Sequence, residues 1–188
     1  MPDLCSISAE ILVGDAVEAL SSGEDCHAMF DALPVPVYTT DAAGMVTYCN
    51  RACSDFAGRE PQLGQDRWCV TWRIHTTAGE RLPLDRCPMA IAIKEQRKVR
   101  DEVAIAERPD GSRRAFKPYP TPVFDDEGKM TGAINLLIDV SEQQAGALSE
   151  QAERCHRLAG SIDDPRATRI LRGMAEGYQH NARALRGA

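Results

Sequence analysis

The sequence contains no apolar run that approaches the roughly 18 residues needed to cross a bilayer. Its first residues, Met1–Leu4, carry no basic segment, and no apolar segment follows them, so we expect no secretion signal. Lys and Arg form no stripe that would neutralise a row of phosphates, and the formal net charge is −6. These absences predict a cytoplasmic protein that binds neither membrane nor nucleic acid.

The motifs of common enzyme classes are also missing. The sequence has no Gly-x-Ser-x-Gly elbow, no His-Glu-x-x-His zinc motif and no phosphate-binding loop. His156 is followed by Arg157 rather than by an acid, and no nucleotide-binding domain fits in the remaining residues, which argues against an autokinase. We therefore expect a protein that is not an enzyme and acts by binding and signalling.

Cysteine is frequent, but its spacing does not indicate a disulfide framework. The chain has seven cysteines, an odd number, and no Cys-x-x-Cys pair. The default interpretation of each is a small buried hydrophobic residue. An iron–sulfur cluster or a zinc ion held by thiolates is an alternative, with the candidates Cys49, Cys53, Cys69 and Cys87.

Five segments of the chain favour β-structure, and turn residues separate most of them. Asp41–Gly44, Pro109–Ser112 and Asp125–Gly128 are each typical of the turn in an antiparallel hairpin. The connection from the second strand to the third is long, so helices must lie over one face of the sheet. The sequence thus predicts an α+β fold with a five-stranded antiparallel sheet, whose strands lie within residues 36–40, 45–49, 99–108, 113–123 and 129–140.

Two helices are predicted within that long connection. Asn50 is suited to cap a short helix that Gly58 closes. A longer helix is predicted over Cys87–Val99, with Pro88 in the first turn, where its missing N–H is harmless.

Helical patterns flank the strands on both sides. Residues 1–25 are predicted to form an amphipathic arm with a helix over 8–21, and residues 142–188 a helical hairpin whose second helix starts at Asp163–Pro165. Because an amphipathic arm needs a partner surface, we expect the hairpin to be an output arm and a homodimer interface. Its apolar residues are Ala145, Leu148, Ala152 and Cys155 on the first helix, and Ile170, Leu171, Met174 and Tyr178 on the second.

Three stretches of the chain resemble the PAS family. The first, 36-PVYTTDAAGMVTYCNRA-52, matches the family's first hairpin and following helix cap; the second, 108-RPDGSRRAF-116, holds an Asp-Gly turn. The third, 127-EGKMTGAINLLIDVSEQ-143, matches its final strand. The DRWC and CPMA segments, at 66–69 and 87–90, are similar to a subgroup of bacterial PAS proteins. The resemblance implies a PAS fold over residues 26–141 and a sensory role.

The resemblance also implies a role for the end of the final strand. In the family, this junction carries strain from the domain to an output helix, and it corresponds here to Asp139, Val140, Ser141 and Glu142. We expect Ser141 to cap that helix, with nearby acids favourable to the helix dipole.

A ligand pocket between sheet and helices is the remaining expectation. Haem, ligated by His75 or Cys87, is one alternative for its occupant. Flavin is not expected, because the photoactive segment of the light-sensing LOV subgroup is missing around Gly64–Cys69. The ligand itself is not identified by the sequence. The candidate pocket residues are Trp68, Trp72, His75, Met89, Ile93, Tyr119 and Asn135.

Three functions follow from these interpretations. The first is a sensor that binds a small molecule and signals through its flanking helices to a protein partner. The second is a haem- or metal-binding sensor of gas or redox state. The third is a protein-interaction adaptor that binds no ligand.

Overall fold

The computed structural model describes residues 4–23 and 25–187, with the side chains of residues 4–7 left out. The helices are α1 Leu4–Ser21, α2 His27–Asp31, α3 Arg51–Ala57, α4 Pro88–Glu95, α5 Ser141–Ser161 and α6 Pro165–Arg186. The strands are β1 Val37–Asp41, β2 Val46–Cys49, β3 Arg73–His75, β4 Arg81–Leu82, β5 Ala104–Glu107, β6 Arg113–Pro118, β7 Thr121–Phe124 and β8 Met130–Asp139.

The strands form one sheet in which the strand order is β2-β1-β8-β6-β5-β3-β4, with β7 also paired to β8. Every named pairing is antiparallel. The α+β class and the antiparallel sheet are therefore confirmed, and all five predicted strand segments contribute to it. Two details differ: the segment 113–123 is divided into β6 and β7, and the short hairpin of β3 and β4 extends the sheet beyond β5.

Strand β8 is the centre of this sheet. It pairs with β1 along one edge and with β6 and β7 along the other. Ala133 and Leu137 belong to the core on one face, whereas Ile134 and Leu136 belong to the core on the opposite face. Because successive side chains of a strand point to opposite faces, β8 must be apolar at consecutive positions, as its sequence predicts.

The first face is covered by α3, α4 and the segment that connects them. Asn50 caps α3 as predicted, since its Oδ1 accepts the Cys53 amide at 3.2 Å, and Gly58 ends the helix at φ 64°. Helix α4 is shorter than predicted: it ends at Glu95, and Gln96 follows it in the left-handed conformation with φ 51°. Its capping atom is the Cys87 sulfur, which accepts the Ala90 amide at 3.4 Å.

Asn50 also joins α3 to the chain before β1. Its Nδ2 donates to the carbonyl oxygens of Phe30 and Val35, each at 2.9 Å, and its Oδ1 accepts the Val37 amide at 3.1 Å. With 1% of its surface exposed, Asn50 makes these bonds away from competing water. One buried carboxamide thus fixes the relative positions of α2, β1 and α3.

The flanking helices cover the opposite face. In α1, Ala9, Val13 and Ala16 are buried against Val37 and Ile134 of the sheet, so the predicted amino-terminal arm is packed on the domain. Arg100 strengthens this contact through an ion pair with Glu10. No helix in the described part of the chain has both the length and the hydrophobicity of a transmembrane segment.

Helices α5 and α6 pack against each other and return to the sheet. Their contacts include Ala145, Leu148, Ala182 and Leu185, which pack with Ala115 of β6. The loop at residues 162–164 joins the helices, and Asp164 caps α6 by accepting the Arg166 amide at 2.8 Å. The helical hairpin predicted from the sequence is present in the structure.

Close packing around β8 predicts the effect of one added methyl group. A Cβ atom on Gly132 would clash with the carbonyl oxygen of Thr40 in β1, so the strands would have to separate. We expect Gly132→Ala to lower the free energy of unfolding by about 1–3 kcal/mol, measured by urea denaturation. The matched control is Gly173→Ala on an open face of α6, where the same methyl group meets nothing within 4 Å.

Because alanine favours a helix interior over glycine, the control is expected to stabilise the protein by about 0.5–1 kcal/mol. Equal effects of the two substitutions would contradict the proposed strand contact.

Candidate functional site

A buried hydrogen-bond network lies between the sheet and the α3–α4 layer. The Tyr38 hydroxyl donates to the carbonyl oxygen of Trp68 at 3.1 Å and accepts from Asn135 Nδ2 at 3.0 Å. Asn135 Oδ1 in turn accepts the Tyr119 amide at 2.9 Å. Tyr38 is fully buried, and burial raises the pKa of its phenol well above the ordinary value. The network therefore stays neutral at physiological pH.

The backbone at Trp68 is held in an unusual conformation. Its φ of 71° lies in the left-handed region, which bulky residues rarely adopt. The Trp68 amide donates to the carbonyl oxygen of Gly44 at 2.7 Å, and the indole covers Gly44 so closely that a Cβ there would overlap the ring. This contact fixes the carbonyl group that Tyr38 binds.

Two thiols adjoin this network. The Cys87 sulfur lies 3.9 Å from the Trp68 carbonyl oxygen, and the Cys69 sulfur lies 3.1 Å from the Thr71 hydroxyl. Burial raises the pKa of Cys87 to about 12 and also raises the pKa of Cys69. Both thiols are therefore protonated near neutral pH, which makes them weak nucleophiles and weak metal ligands.

The structure brings together four of the seven candidate pocket residues. Trp68, Met89 and Ile93 lie in the core of this face, and the Asn135 side chain joins them through Tyr38. Trp68, Met89 and Ile93 belong to one cluster of packed, buried side chains.

The other three candidates lie elsewhere. Tyr119 belongs to the core on the opposite face of the sheet. Trp72 is 40% exposed, with the guanidinium of Arg73 stacked 3.8 Å from its ring centroid. His75 lies on β3 near the sheet edge. The segment from Trp68 to Trp72 is irregular, and the two side chains diverge, one buried and one exposed.

His75 is part of a charged cluster around Glu107. Its Nε2 lies 2.9 Å from the Glu107 carboxylate, which also pairs with Arg73 and Arg113 at 3.3 and 3.2 Å. Burial raises the pKa of Glu107, but the attraction of Arg113, His75 and Arg73 outweighs burial and lowers the pKa below its ordinary value. The His75 imidazole therefore already contacts a carboxylate of the sheet, that of Glu107.

The cysteine candidates do not form a recognised metal site. Among the residues that the structure describes, no group of three or more His, Cys, Asp or Glu side chains is arranged to hold a metal ion. Six cysteines are free thiols, and the side chain of Cys5 lies outside the described residues.

At the end of β8, the capping role predicted for Ser141 is wrong. The Asp139 carboxylate accepts the Ser141 amide at 2.9 Å and so serves the start of α5. The Ser141 hydroxyl instead turns back to β6, where it accepts the Ala115 amide at 3.0 Å. The backbone bends at Val140, with φ −124° and ψ 23°, so that Asp139 caps α5 while the Ser141 hydroxyl points to β6.

Asp139 also joins α5 to β6 through a charge pair. Its second carboxylate oxygen accepts from Arg114 at 2.8 Å. Burial raises the pKa of Asp139, but hydrogen bonds from Ser141 and the charge of Arg114 outweigh it and lower the pKa below the ordinary value. Glu142 is exposed and lies 4.0 Å from Arg186 at the end of α6. The predicted junction thus contacts strand, first helix and second helix.

Tyr38, Gly44 and Arg114 contribute to these sites but were not predicted. Tyr38 lies directly opposite Asn135 in the register of β1 and β8. A pairing of these two strands inferred from the sequence would have brought the phenol and the carboxamide together. Arg114 offers no comparable signal, because one of several arginines on a strand is not distinguished by its spacing.

Comparisons with known proteins agree with this architecture. The sequence profile described as PAS fold matches residues 30–145, more than half of the chain. The chain belongs to the PAS family. No curated protein matches its sequence.

Solved structures similar to this PAS protein include the LOV protein of Rhodobacter sphaeroides, with 14% identity and a TM-score of 0.47 over 86% of this chain and 94% of that one. The PAS domain of the fruit-fly ELK potassium channel has 11% identity and a TM-score of 0.48 over 60% and 92%. The PAS domain of Bordetella pertussis BvgS has 20% identity and a TM-score of 0.40 over 70% and 92%.

The buried network predicts that the Tyr38 hydroxyl stabilises the PAS domain. Tyr38→Phe leaves the Trp68 carbonyl oxygen and the Asn135 amide without that partner inside the core, so we expect it to cost about 1–3 kcal/mol in urea denaturation. Tyr48→Phe is the matched control on the neighbouring strand, where the hydroxyl binds Asp31 at 2.6 Å near the surface. Its expected cost is below about 1 kcal/mol. A larger loss of stability with Tyr48→Phe than with Tyr38→Phe would contradict this prediction.

The lowered pKa of Asp139 predicts a pH-dependent contribution to stability. The carboxylate stabilises the folded state fully above the ordinary aspartate pKa of about 4, and this contribution is lost as pH falls through the lower folded-state pKa. We expect Asp139→Asn to be less stable than the parent at pH 7 by about 1 kcal/mol or less, with the difference closing in acid. Denaturation at a series of pH values measures it.

Asp163→Asn provides the control, because Asp163 is exposed in the hairpin loop and should give curves parallel to those of the parent. A difference between Asp139→Asn and the parent that stays constant down to strongly acidic pH would contradict the carboxylate's role.

Proposed function

We propose that this sensory-type PAS domain transmits a change in its interior to the α5–α6 hairpin, which signals to a protein partner as a homodimer. The observation that carries the proposal is the junction at the end of β8. There, Asp139 binds Arg114, and Ser141 binds the backbone of Ala115, both in β6, while the chain continues directly into α5. A shift between β6 and β8 would alter both contacts at the first turn of the helix.

The interior network is attached to the same strand. Asn135 lies four residues before Asp139 on β8, and it binds Tyr38 on one side and the Tyr119 amide on the other. Any ligand or modification that displaces Tyr38 or Trp68 must break a bond to this network. Because β8 is hydrogen-bonded on both edges, a displacement of Asn135 would be passed along the strand rather than absorbed by it.

The proposed dimer uses one side of the hairpin. Leu158 directly precedes the buried Ala159 of α5, and Met174 directly precedes Ala175, which is buried between α5 and α6. His156 and Gln179 instead directly follow Cys155 and Tyr178, which pack in the same cluster as Ala175. Gln179 lies 3.4 Å from His156 across the hairpin, so these two pairs mark opposite sides. We name the side of Leu158 and Met174 the outward stripe. Its members are Gln144, Ala147, Gln151, Arg154, Leu158 and Ser161 on α5, and Ala167, Ile170, Met174, Gly177, Asn181 and Ala184 on α6.

The outward stripe differs in charge from the other side of the hairpin. On α6, the stripe has no charged residue, and Ile170 and Met174 are 56% and 44% exposed. On α5, it has the single charge of Arg154, and Leu158 is 45% exposed. Its residues recur at alternating intervals of three and four, which is the spacing of a helix-packing seam. The opposite side of α6 carries Arg169, Arg172, Glu176, Arg183 and Arg186.

A second copy of the chain fits this stripe better than a charged partner does. Two hairpins related by a two-fold axis would pair their uncharged stripes and form a four-helix bundle, with the arginine-rich sides left in solvent. Such a dimer would place both β8–α5 junctions beside one bundle, where a change at the junction alters how the helices pack.

The outward stripe predicts that one charge will dissociate the dimer. Met174→Glu would bury a carboxylate among apolar side chains, so we expect dimerisation to weaken by roughly 30-fold or more. Sedimentation equilibrium measures the dissociation constant. Gln179→Glu adds the same charge to the opposite side and should leave dimerisation unchanged. A parent chain that is monomeric at all tested concentrations, or a loss of dimer with both variants, would sink the proposal.

A second candidate function is an adaptor that signals without a ligand. It is favoured by the packing of Trp68, Met89 and Phe116 with Tyr38 in the interior. A third, a haem or metal sensor, has less support, since His75 is paired with Glu107 and the Cys87 thiol caps α4. Native mass spectrometry and an absorption spectrum of the purified protein distinguish the three: a bound organic molecule supports the ligand sensor, a haem or iron–sulfur band the metal sensor, and neither the adaptor.

A further inference from the structure

A cavity of about 550 Å³ lies where the base of the α5–α6 hairpin meets the sheet. It opens between the β5–β6 turn, the start of α5 and the end of α6. Its volume falls in the range of small-molecule sites.

The lining of this cavity is rich in positive charge. Four arginines, Arg108, Arg113, Arg114 and Arg186, and two acidic residues, Asp139 and Glu142, line it. Arg114 pairs with Asp139 at 2.8 Å, and Arg186 lies 4.0 Å from Glu142, a distance at which much of its hydrogen-bonding capacity is unused. Arg113 pairs with Glu107, which lies outside the lining, at 3.2 Å.

Arg108, unlike the other three arginines of the lining, forms no ion pair with a carboxylate of the described residues. Its Nε and Nη2 donate to the backbone oxygens of Phe56 and Asp55 at 2.8 and 2.7 Å, which orients the group but does not neutralise its charge. Burial and the charge of Arg114 lower the pKa of Arg108 despite the opposing effect of Asp110, Asp139 and Asp55. The site therefore disfavours additional positive charge, and a bound anion would relieve that cost.

Backbone groups add to this preference. The amides of Glu142 and Gln143 lie in the first turn of α5, where a helix leaves its N–H groups without intrahelical acceptors. The end of α6, whose dipole has the opposite sign, contributes Arg186 from its last turn. Guanidinium groups and helix amides together are the donors that proteins use for phosphate groups.

We propose that this cavity binds a small anion of phosphate type that carries two or more negative charges. The anion would bridge Arg108 of the β5–β6 turn and Arg113 of β6 to Arg186 of α6, and so connect the end of the hairpin to the sheet. This inference goes beyond the proposed function, because anion binding does not depend on whether the chain forms a dimer or passes a signal.

Isothermal titration calorimetry on the full chain at low and at physiological salt tests the proposal. Inorganic pyrophosphate and a nucleoside triphosphate serve as separate probes, so the result shows whether the site takes the free anion or requires an ester. We expect one site per chain. Arg186→Gln should weaken binding about tenfold, since it removes one charge-assisted contact. Arg183→Gln is the matched control: it removes the same charge from the same helix outside the cavity and should leave binding unchanged.

A second variant keeps the test independent of folding. Glu142→Gln removes a carboxylate from the lining without disturbing the core, since Glu142 is exposed, and it should tighten binding. The proposal is overturned when neither probe binds at millimolar concentration, or when Arg183→Gln and Arg186→Gln weaken binding equally, which would indicate a diffuse field rather than a site. Sedimentation of the same samples reports the dimer separately.

Discussion

The central strand β8 imposes the constraint on which the rest of the structure depends. It is hydrogen-bonded along both edges, and its buried residues 132–137 contribute side chains to the cores on both faces of the sheet. Gly132 admits the close approach of β1, Asn135 brings a polar group into the core, and Asp139 ends the strand beside β6. The α3–α4 layer, the flanking helices and the hairpin are arranged around these positions.

Most of the architecture was predictable because local chemistry and tertiary structure agree in this chain. Turn residues mark the hairpins, Asn50 and Gly58 delimit α3, and the apolar run of β8 predicts a central strand that is buried on at least one face. The hairpin of β3 and β4 was not predictable, because strands of three and two residues are too short to show an alternating pattern. Its existence depends on pairing with β5, a contact that no local signal reports.

The candidate site was predicted less completely, because its contacts depend on strand register and on backbone bends that single residues do not indicate. Asn135 is a polar residue within the most apolar strand, and this contrast identifies it from the sequence alone. Its partner Tyr38 lies 97 residues away and becomes recognisable only through the register of β1 and β8. Trp68 and Trp72 share a helical spacing but not a helix, so one is buried and the other exposed. Serine is a common residue at the start of a helix, yet the bend at Val140 turns the Ser141 hydroxyl toward β6.

The two polar sites of the domain are connected by the geometry of β8. Successive side chains of a strand point to opposite faces. Asn135 of the network and Asp139 of the junction are four residues apart on β8, so both lie on the same face of the strand. A side chain could move at either site without consequence for the other if the strand were free to bend between them. The paired edges oppose that bending, because Lys117 lies opposite Ile138 on one edge and Val37 opposite Leu136 on the other. Under the proposed function, a displacement at Asn135 would therefore reach Asp139 as a movement of the strand as a whole, and it would act on the contacts that Asp139 and Ser141 make with Arg114 and Ala115 of β6.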